Sequence, residues 1–322
     1  MIRFTSKSGP LVFGVFFGIA YGALTRFIFQ EYHLLNSLGY LLGIPAVLGI
    51  LPLIFMDDEQ IKRTSYVIFT PLFTIIGVYA VFILVGWEDV ICLLIFSLPF
   101  AVASTAGALI YQQFRLKRTQ KKAHALSLLL LPLLVAPIEN QVASPANTYS
   151  VISDVVTVAR PQLIWSNIVR VPKIAFSEYS PGFFNKAGVP RPLEAELSFD
   201  GIGAVRHGHF DEGLTFVERI REWQPPKRVA FGIEVDPRTI PNQIIAQHIL
   251  KGNYFKFLDA AYQIDSLSPA TTRLRLTSRY TLTSKLNFYE RFWADWILSD
   301  FQDRLLRVLK ARCESKTVPI QE

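Results

Sequence analysis

Hydrophobic and polar positions follow two different patterns along the chain, and the change falls near residue 139. Before it, apolar residues run on without a period. Residues 10–29, 34–56, 66–86 and 89–111 are apolar stretches of about 20 residues, long enough to cross roughly 30 Å of hydrocarbon as helices. A fifth run, 125–138, has about 14 residues and contains Pro132 and Pro137, a length that fits a re-entrant or interfacial segment as well as a span. Gly14, Gly18 and Gly22 form a small-residue series suited to close helix packing, and Arg26, near the end of its span, is expected to snorkel.

After residue 139 the apolar runs are short and alternating. A polar linker, 139–148, leads to a strand over 149–158. Pro161 then opens a helix that places Trp165, Ile168 and Val169 on one face, and a second helical piece is expected over 171–178. The turn-rich 180–192 carries Phe183 and Phe184 in a loop, where they would gate a pocket, dip into a lipid surface or pack on the domain.

Runs at 193–199, 204–210, 214–223 and 228–234 are separated by Gly201, Gly203, Gly213 and Pro225-Pro226, the pattern of consecutive antiparallel strands. A connection over 237–250 precedes two more strands, 254–264 and 272–283. In the last, Leu274, Leu276, Ser278, Tyr280 and Leu282 share the face expected to point inward. Residues 285–314 form a long amphipathic helix on which Tyr289, Trp293, Trp296, Ile297, Leu305, Val308 and Leu309 recur at helical spacing. The expected domains are therefore a membrane region over 1–138, a linker over 139–148, a soluble domain over 149–314 and a tail over 315–322.

Charge adds an orientation. With the N-terminus inside, the cytoplasmic loops hold Arg3, Lys7, Lys62, Arg63, Arg115, Lys117, Arg118, Lys121 and Lys122, while residues 30–33 and 87–88 hold no Lys or Arg. That asymmetry is a positive-inside signal. The fifth run lies between a basic flank and a small, polar one, which favours spanning; signal-like cleavage after it is the weaker reading. If it spans, the protein is an integral protein of the cytoplasmic (inner) membrane with an extracytoplasmic soluble domain. If it only dips in, the domain is cytoplasmic. The spans hold almost no ionisable residues, which favours an anchor or partner-binding bundle over a transporter.

The net charge of +7 does not point to nucleic acid, because neither half carries a basic stripe interleaved with aromatics. Two cysteines, Cys92 and Cys313, give no disulfide framework.

The order of strand, two short helices, a run of antiparallel strands and one long helix resembles the START-like (SRPBCC, helix-grip) superfamily of polyketide cyclases, lipid-transfer START domains, plant hormone receptors and pollen allergens. The resemblance covers residues 149–312. It rests on Arg160-Pro161-Gln162-Leu163-Ile164-Trp165, on Gly203-Ala204-Val205-Arg206, on Phe216-Val217-Glu218-Arg219-Ile220 leading through Trp223 and Pro225-Pro226 to Phe231, and on the terminal helix. It implies an α+β domain in which a seven-stranded curved antiparallel sheet grips the helix around an apolar tunnel. Superfamily members bind sterols, phospholipids, polyketides or hormones there, and some are enzymes. A five-span anchor is not a standard part of that superfamily.

Glu218 shares strand parity with Phe216 and Ile220, so it should face inward, where burial raises a carboxyl pKa and makes it a proton donor or ligand anchor. Some hormone-binding relatives use an acidic pocket residue at the matching position. The plainer alternative is an ion pair with Arg206 or another strand residue. The resemblance suggests that Arg206 faces in, with Phe210 on its face and His207 and His209 opposite. The spacing of Gly201, His207, His209 and Glu212 only approaches a cupin metal motif, so no metal is expected. Tyr262, Ser278, Tyr280, Trp293 and Trp296 complete the candidate pocket wall, although aromatic stripes at such spacing are more often plain core. No nucleophile elbow, phosphate-cradling loop or Cys-His pair is present, so no cofactor is expected and no catalytic set can be named. The leading expectation is a non-catalytic domain binding a hydrophobic small molecule or lipid at a membrane. A cyclase-like or hydrolytic enzyme using Glu218 as acid or base is the first alternative, and an assembly partner with a filled core is the second.

Overall fold

The structure is a computed structural model that describes residues 9–117, 123–242, 244–252 and 254–315, with the side chains of all but 123–127, 244–246 and 248. The expected tail beyond residue 315 and the basic residues Arg3, Lys7, Arg118, Lys121 and Lys122 lie outside the described residues. The chain divides into two compact units, Met1–Ser144 and Pro145–Glu322.

The first unit is helical: α1 (Gly9–Glu31), a π-turn (Gly39–Gly43) running into α2 (Ile44–Phe55), α3 (Asp58–Lys62), α4 (Thr64–Val85), α5 (Val90–Leu116) and α6 (Ala123–Glu139). Three of these, α1, α4 and α5, are long and apolar enough to cross a membrane; Gly39–Phe55 and Leu128–Glu139 are shorter apolar helices. The glycine series works as expected: Cβ atoms at Gly14, Gly18 and Gly22 would stand 2.8, 2.6 and 2.7 Å from Pro52, Thr74 and Val78. The tightest crossing is between α2 and α5, where a Cβ on Gly49 would meet the Ser104 carbonyl at 1.9 Å and one on Gly107 the Ala46 carbonyl at 2.3 Å. Only glycine lets two helix backbones approach so closely. Arg26 does not snorkel. It is 1% exposed, pairs with Glu88 at 2.7 Å and also donates to Gln30 and to the Trp87 carbonyl, because the α4–α5 loop brings a carboxylate to it.

Helix α6 runs from one end of this bundle to the other. Leu128 packs against the buried cluster that contains Ile50, Leu53, Met56, Ile61, Val67, Ala108 and Tyr111, and the Tyr21 hydroxyl donates to the Leu129 carbonyl. Pro132 and Ala136 lie against Gly43 and Gly39. At the far end, the Glu139 carboxylate accepts the backbone N–H groups of Leu38 and Gly39 at 2.7 and 3.0 Å. Those are unsatisfied donors at a helix start, which an anionic side chain suits.

The second unit contains β1 (Ala146–Thr157), α7 (Pro161–Val169), α8 (Phe183–Lys186), β2 (Pro192–Leu197), β3 (Val205–Phe210), β4 (Thr215–Gln224), β5 (Arg228–Val235), α9 (Ile244–Lys251), β6 (Phe255–Ser268), β7 (Thr271–Thr283) and α10 (Asn287–Ser315). The strands make one antiparallel seven-stranded sheet in the order β1-β7-β6-β5-β4-β3-β2. Five of its six pairings join strands consecutive in the chain, and β1 closes on β7 with Val151 opposite Ser278. Along β7 every second residue, including Leu274, Leu276, Ser278, Tyr280 and Leu282, is buried on the inner face, as the alternation predicts. Helix α10 packs into that curled sheet through Leu298, Leu305, Leu306, Val308 and Leu309. This is the helix-grip arrangement.

Two local expectations fail. Residues 171–178 are not helical: Pro172 biases Val171 toward extended backbone, and Val171 exchanges two 2.9 Å hydrogen bonds with Ala195 instead. Phe183 and Phe184 stand on the short helix α8 rather than in a loop, its first turn tied by Gly182 N–H to Asn185 Oδ1 at 3.0 Å. The connection over 237–250 also contains α9.

Candidate functional site

Antiparallel register sets Arg206 on β3 directly opposite Glu218 on β4, both on the inner face and both about 5% exposed. Arg206 Nη1 donates to Glu218 Oε2, so the ion pair that was the plainer alternative for Glu218 is what the fold builds. The remaining guanidinium donors reach the Val169 and Ile168 carbonyls at 3.2 Å each. These carbonyls end α7 and have no helical partner of their own. The guanidinium carbon lies 5.3 Å from the centre of the Phe231 ring. Gly208 leaves the carboxylate its room, since a Cβ there would stand 3.1 Å from Glu218 Oε1.

Burial pushes the Glu218 carboxyl up, and Arg206 offsets part of that rise. Burial works against the Arg206 charge, but Glu218 more than reverses this and holds its pKa above the ordinary value. Tyr262, fully buried beside the pair, is pushed up to about 12 by burial. The pair is therefore a neutralised unit sealed into the sheet.

A second polar pair bridges the sheet and α10. Gln302, wholly buried, donates through Nε2 to Ser278 Oγ at 2.8 Å, while its Oε1 has no partner among the described residues. The Tyr280 hydroxyl donates to Asp295 at 2.6 Å, and Arg291 holds the other carboxylate oxygen at 3.1 Å. Burial, and then the hydrogen bond to Asp295, raise the Tyr280 pKa.

The inner face divides into two halves. In one, Ile220, Val229, Phe231, Tyr262, Ile264, Leu274 and Leu276 are sealed under α7 and the C-terminal half of α10. In the other, Phe216, Phe255, Phe257 and Phe301 point inward yet stay only half-buried. Their rings form a continuous row with Phe210 and Tyr280: Phe210 to Phe216 is 4.6 Å, Phe216 to Phe257 5.1 Å, Phe257 to Phe255 4.9 Å and Phe255 to Tyr280 5.3 Å, with Phe301 6.0 Å from Phe210 on the helix side.

Of the expected wall residues, Arg206, Phe210, Phe216, Glu218, Tyr262, Ser278 and Tyr280 face inward. Trp296 does not, and Trp293 is half-buried beside it. Leu298, Gln302, Leu305 and Leu309 mark the inward side of α10, and Trp296 lies about 200° round the helix from Leu298. Its apolar character serves the surface, where it is 48% exposed and packs edge-on against Phe184 at 5.0 Å. His207 and His209 stack on the outer face, His209 against Thr215 Oγ1, and no metal-holding group of His, Cys, Asp and Glu occurs among the described residues. Phe255, Phe257, Phe301 and Gln302 were missed as wall residues. A register shift between Phe257 and Asp259 turns the two phenylalanines to the same face as Ala260 and Tyr262, and an alternating pattern read without that bulge places them outside.

No family model matches the chain, and no curated protein matches it. Among solved structures, it is similar to a norcoclaurine synthase point mutant from Thalictrum flavum (10% identity, TM-score 0.35, 54% of this chain and 99% of that one). It is also similar to the Zhui aromatase/cyclase from Streptomyces sp. R1128 (15%, 0.36, 54% and 99%) and to a START superfamily protein from Mycobacterium smegmatis (12%, 0.35, 52% and 98%). At these scores the likenesses add nothing to what strand order and helix placement already establish.

Proposed function

We propose that the helix-grip domain binds an apolar small molecule or lipid, without transforming it, between the half-buried aromatic row and α10, and that the first unit anchors it in a membrane. The observation that carries this reading is the partial exposure of Phe216, Phe255, Phe257 and Phe301 on a face whose other half is sealed. Apolar walls with few polar groups are what such ligands need, and desolvating the rings and the ligand together supplies the driving force. The polar groups within reach of the row are Ser278, Gln302 and the Tyr280–Asp295 pair, which favour a neutral or hydroxylated ligand end over an anionic one. Leaving catalysis out is supported by the engagement of Glu218 with Arg206, which ties up the inward carboxylate best placed for acid–base work.

Full-length protein extracted in mild detergent and sprayed under native conditions is expected to carry a co-purified apolar molecule. Phe257→Trp, which adds bulk to the row, is expected to lower that occupancy about tenfold, the factor that about 1.4 kcal/mol represents. A wild-type protein that emerges empty and binds no long-chain alcohol offered as a probe would overturn the proposal. Occupancy unchanged in the variant would place the ligand elsewhere.

A further inference from the structure

The first three turns of α10 carry an apolar stripe that faces away from the sheet. Phe288, Phe292 and Trp296, four residues apart, are 77%, 59% and 48% exposed. Phe292 lies 5.9 Å from Trp296, and Trp293 lies 5.5 Å from it. Phe184, itself buried, braces Trp296 and holds Phe183 at 5.4 Å, so that Phe183, 54% exposed, extends the same patch. The stripe stops where Asp300 and Arg304 take over the continuing positions. A functionless amphipathic helix would not confine its outward aromatics to one end.

The position of that end identifies what covers it. Asn287, the residue before Phe288, donates from Nδ2 to the Pro145 carbonyl at 2.7 Å and accepts the Ser284 N–H at 3.0 Å, so the stripe begins where the chain enters the domain. Pro145 follows the end of the apolar helix α6, Glu139, by six residues, a reach of at most about 20 Å. Charge offers no obstacle: Asp295 is held by Arg291 and Tyr280, Glu290 accepts from Ser284 Oγ at 2.6 Å, and the exposed Lys186 follows Phe183 on α8. Tryptophan and phenylalanine beside a cation suit the headgroup boundary of a bilayer.

We infer that the face formed by Phe183, Phe288, Phe292 and Trp296 rests on the surface of the lipid bilayer that holds the first unit. It depends on the membrane reading of that unit and not on the ligand reading. The test uses the full chain in nanodiscs of phosphatidylcholine and phosphatidylglycerol, with acyl chains either unmodified or brominated at carbons 6 and 7. The difference between wild type and Trp296→Phe isolates the Trp296 emission, which is expected to fall at least about two-fold in brominated lipid. Phe288→Ser with Phe292→Ser, both at exposed positions, is expected to restore it. In a Trp296→Phe background, Phe183→Trp supplies a second reporter on the same face and is expected to be quenched likewise.

Equal Trp296 emission in both lipids would overturn the inference, and two chains per disc with Trp296 unquenched would reassign the face to a second copy. Trp87 reports the membrane reading separately, because its quenching depends only on the first unit. A protein that carries no apolar ligand but shows the quenching would leave this inference standing while the proposed function fails.

Discussion

At the residue scale, the most consequential group is the Arg206–Glu218 pair, and its worth depends on which partner is removed. Taking Glu218 to Leu leaves a guanidinium in the sealed half of the core with no counter-charge, a loss of about 3–5 kcal/mol by comparison with other buried pairs. Adding Arg206→Met removes that stranded charge and is expected to recover part of the loss. Recovery stays incomplete because the Ile168 and Val169 carbonyls then lose their donor, at about 1–3 kcal/mol for each buried group left unsatisfied. Chemical unfolding of the three proteins checks this ordering. A double variant less stable than Glu218→Leu would mean that Arg206 matters mainly as the tie between α7 and β3 and not as a compensated charge. Inward parity for Glu218 was legible from Phe216 and Ile220 on the same strand. The choice between a free acid and an ion pair was not, because it depends on a residue twelve positions earlier meeting it across a hairpin.

At the scale of the element, the C-terminal end of α10 is tied down by a pair that is sensitive to acid. Near its C-terminus Arg312 forms a two-point pair with Glu178 at 2.7 and 2.8 Å and also donates to the Pro172 and Lys173 carbonyls. Hydrogen bonds from Arg312 and from the Ala175 N–H lower the Glu178 pKa to about 2. A depressed carboxyl stabilises the fold above its unfolded pKa, near 4.5, and that contribution is lost as pH falls toward about 2. Glu178 is partly exposed, so solvent screens the effect and the shift in melting temperature should be modest. The melting temperature of Glu178→Gln is expected to lie below wild type at neutral pH and to converge with it between pH about 4.5 and about 2. Parallel curves over that window would mean that the Arg312 contacts to Pro172 and Lys173 carry the tie alone. The length of α10 and its inward Leu305, Val308 and Leu309 follow from helical spacing alone. Its outward Trp296 was misread as pocket wall because spacing identifies a stripe without saying which of two stripes faces the sheet; the packing of Leu298 and Gln302 decides that.

At the scale of the whole molecule, the proposed membrane anchor leaves the side on which the domain works to the fifth apolar run. Its length alone fits a span or a re-entrant segment, and its contacts within the first unit bear on the choice. Over 17 residues α6 rises about 25 Å. Its Leu128 packs against the cluster that includes Met56, Ile61 and Tyr111, near Lys62, Arg63 and Arg115 in the chain, and it finishes with Glu139 on the Leu38 and Gly39 N–H groups. Trp87 and Glu88, in a loop without Lys or Arg, close the same end through Arg26 on α1. If the basic loops are retained inside and α6 spans, the second unit is expected outside. Alkaline phosphatase, active only after export, is therefore expected to be active when fused after Glu322 and inactive when fused after Leu116, and green fluorescent protein should give the reverse. Fluorescence from the Glu322 fusion would put the domain in the cytoplasm and require α6 to turn back. Glu139→Ala tests the same geometry from within: losing an anionic cap costs about 1 kcal/mol and should lower bundle stability without changing which reporter is active. A switch of reporter in that variant would show that the cap, rather than the basic loops, sets the direction in which α6 is inserted.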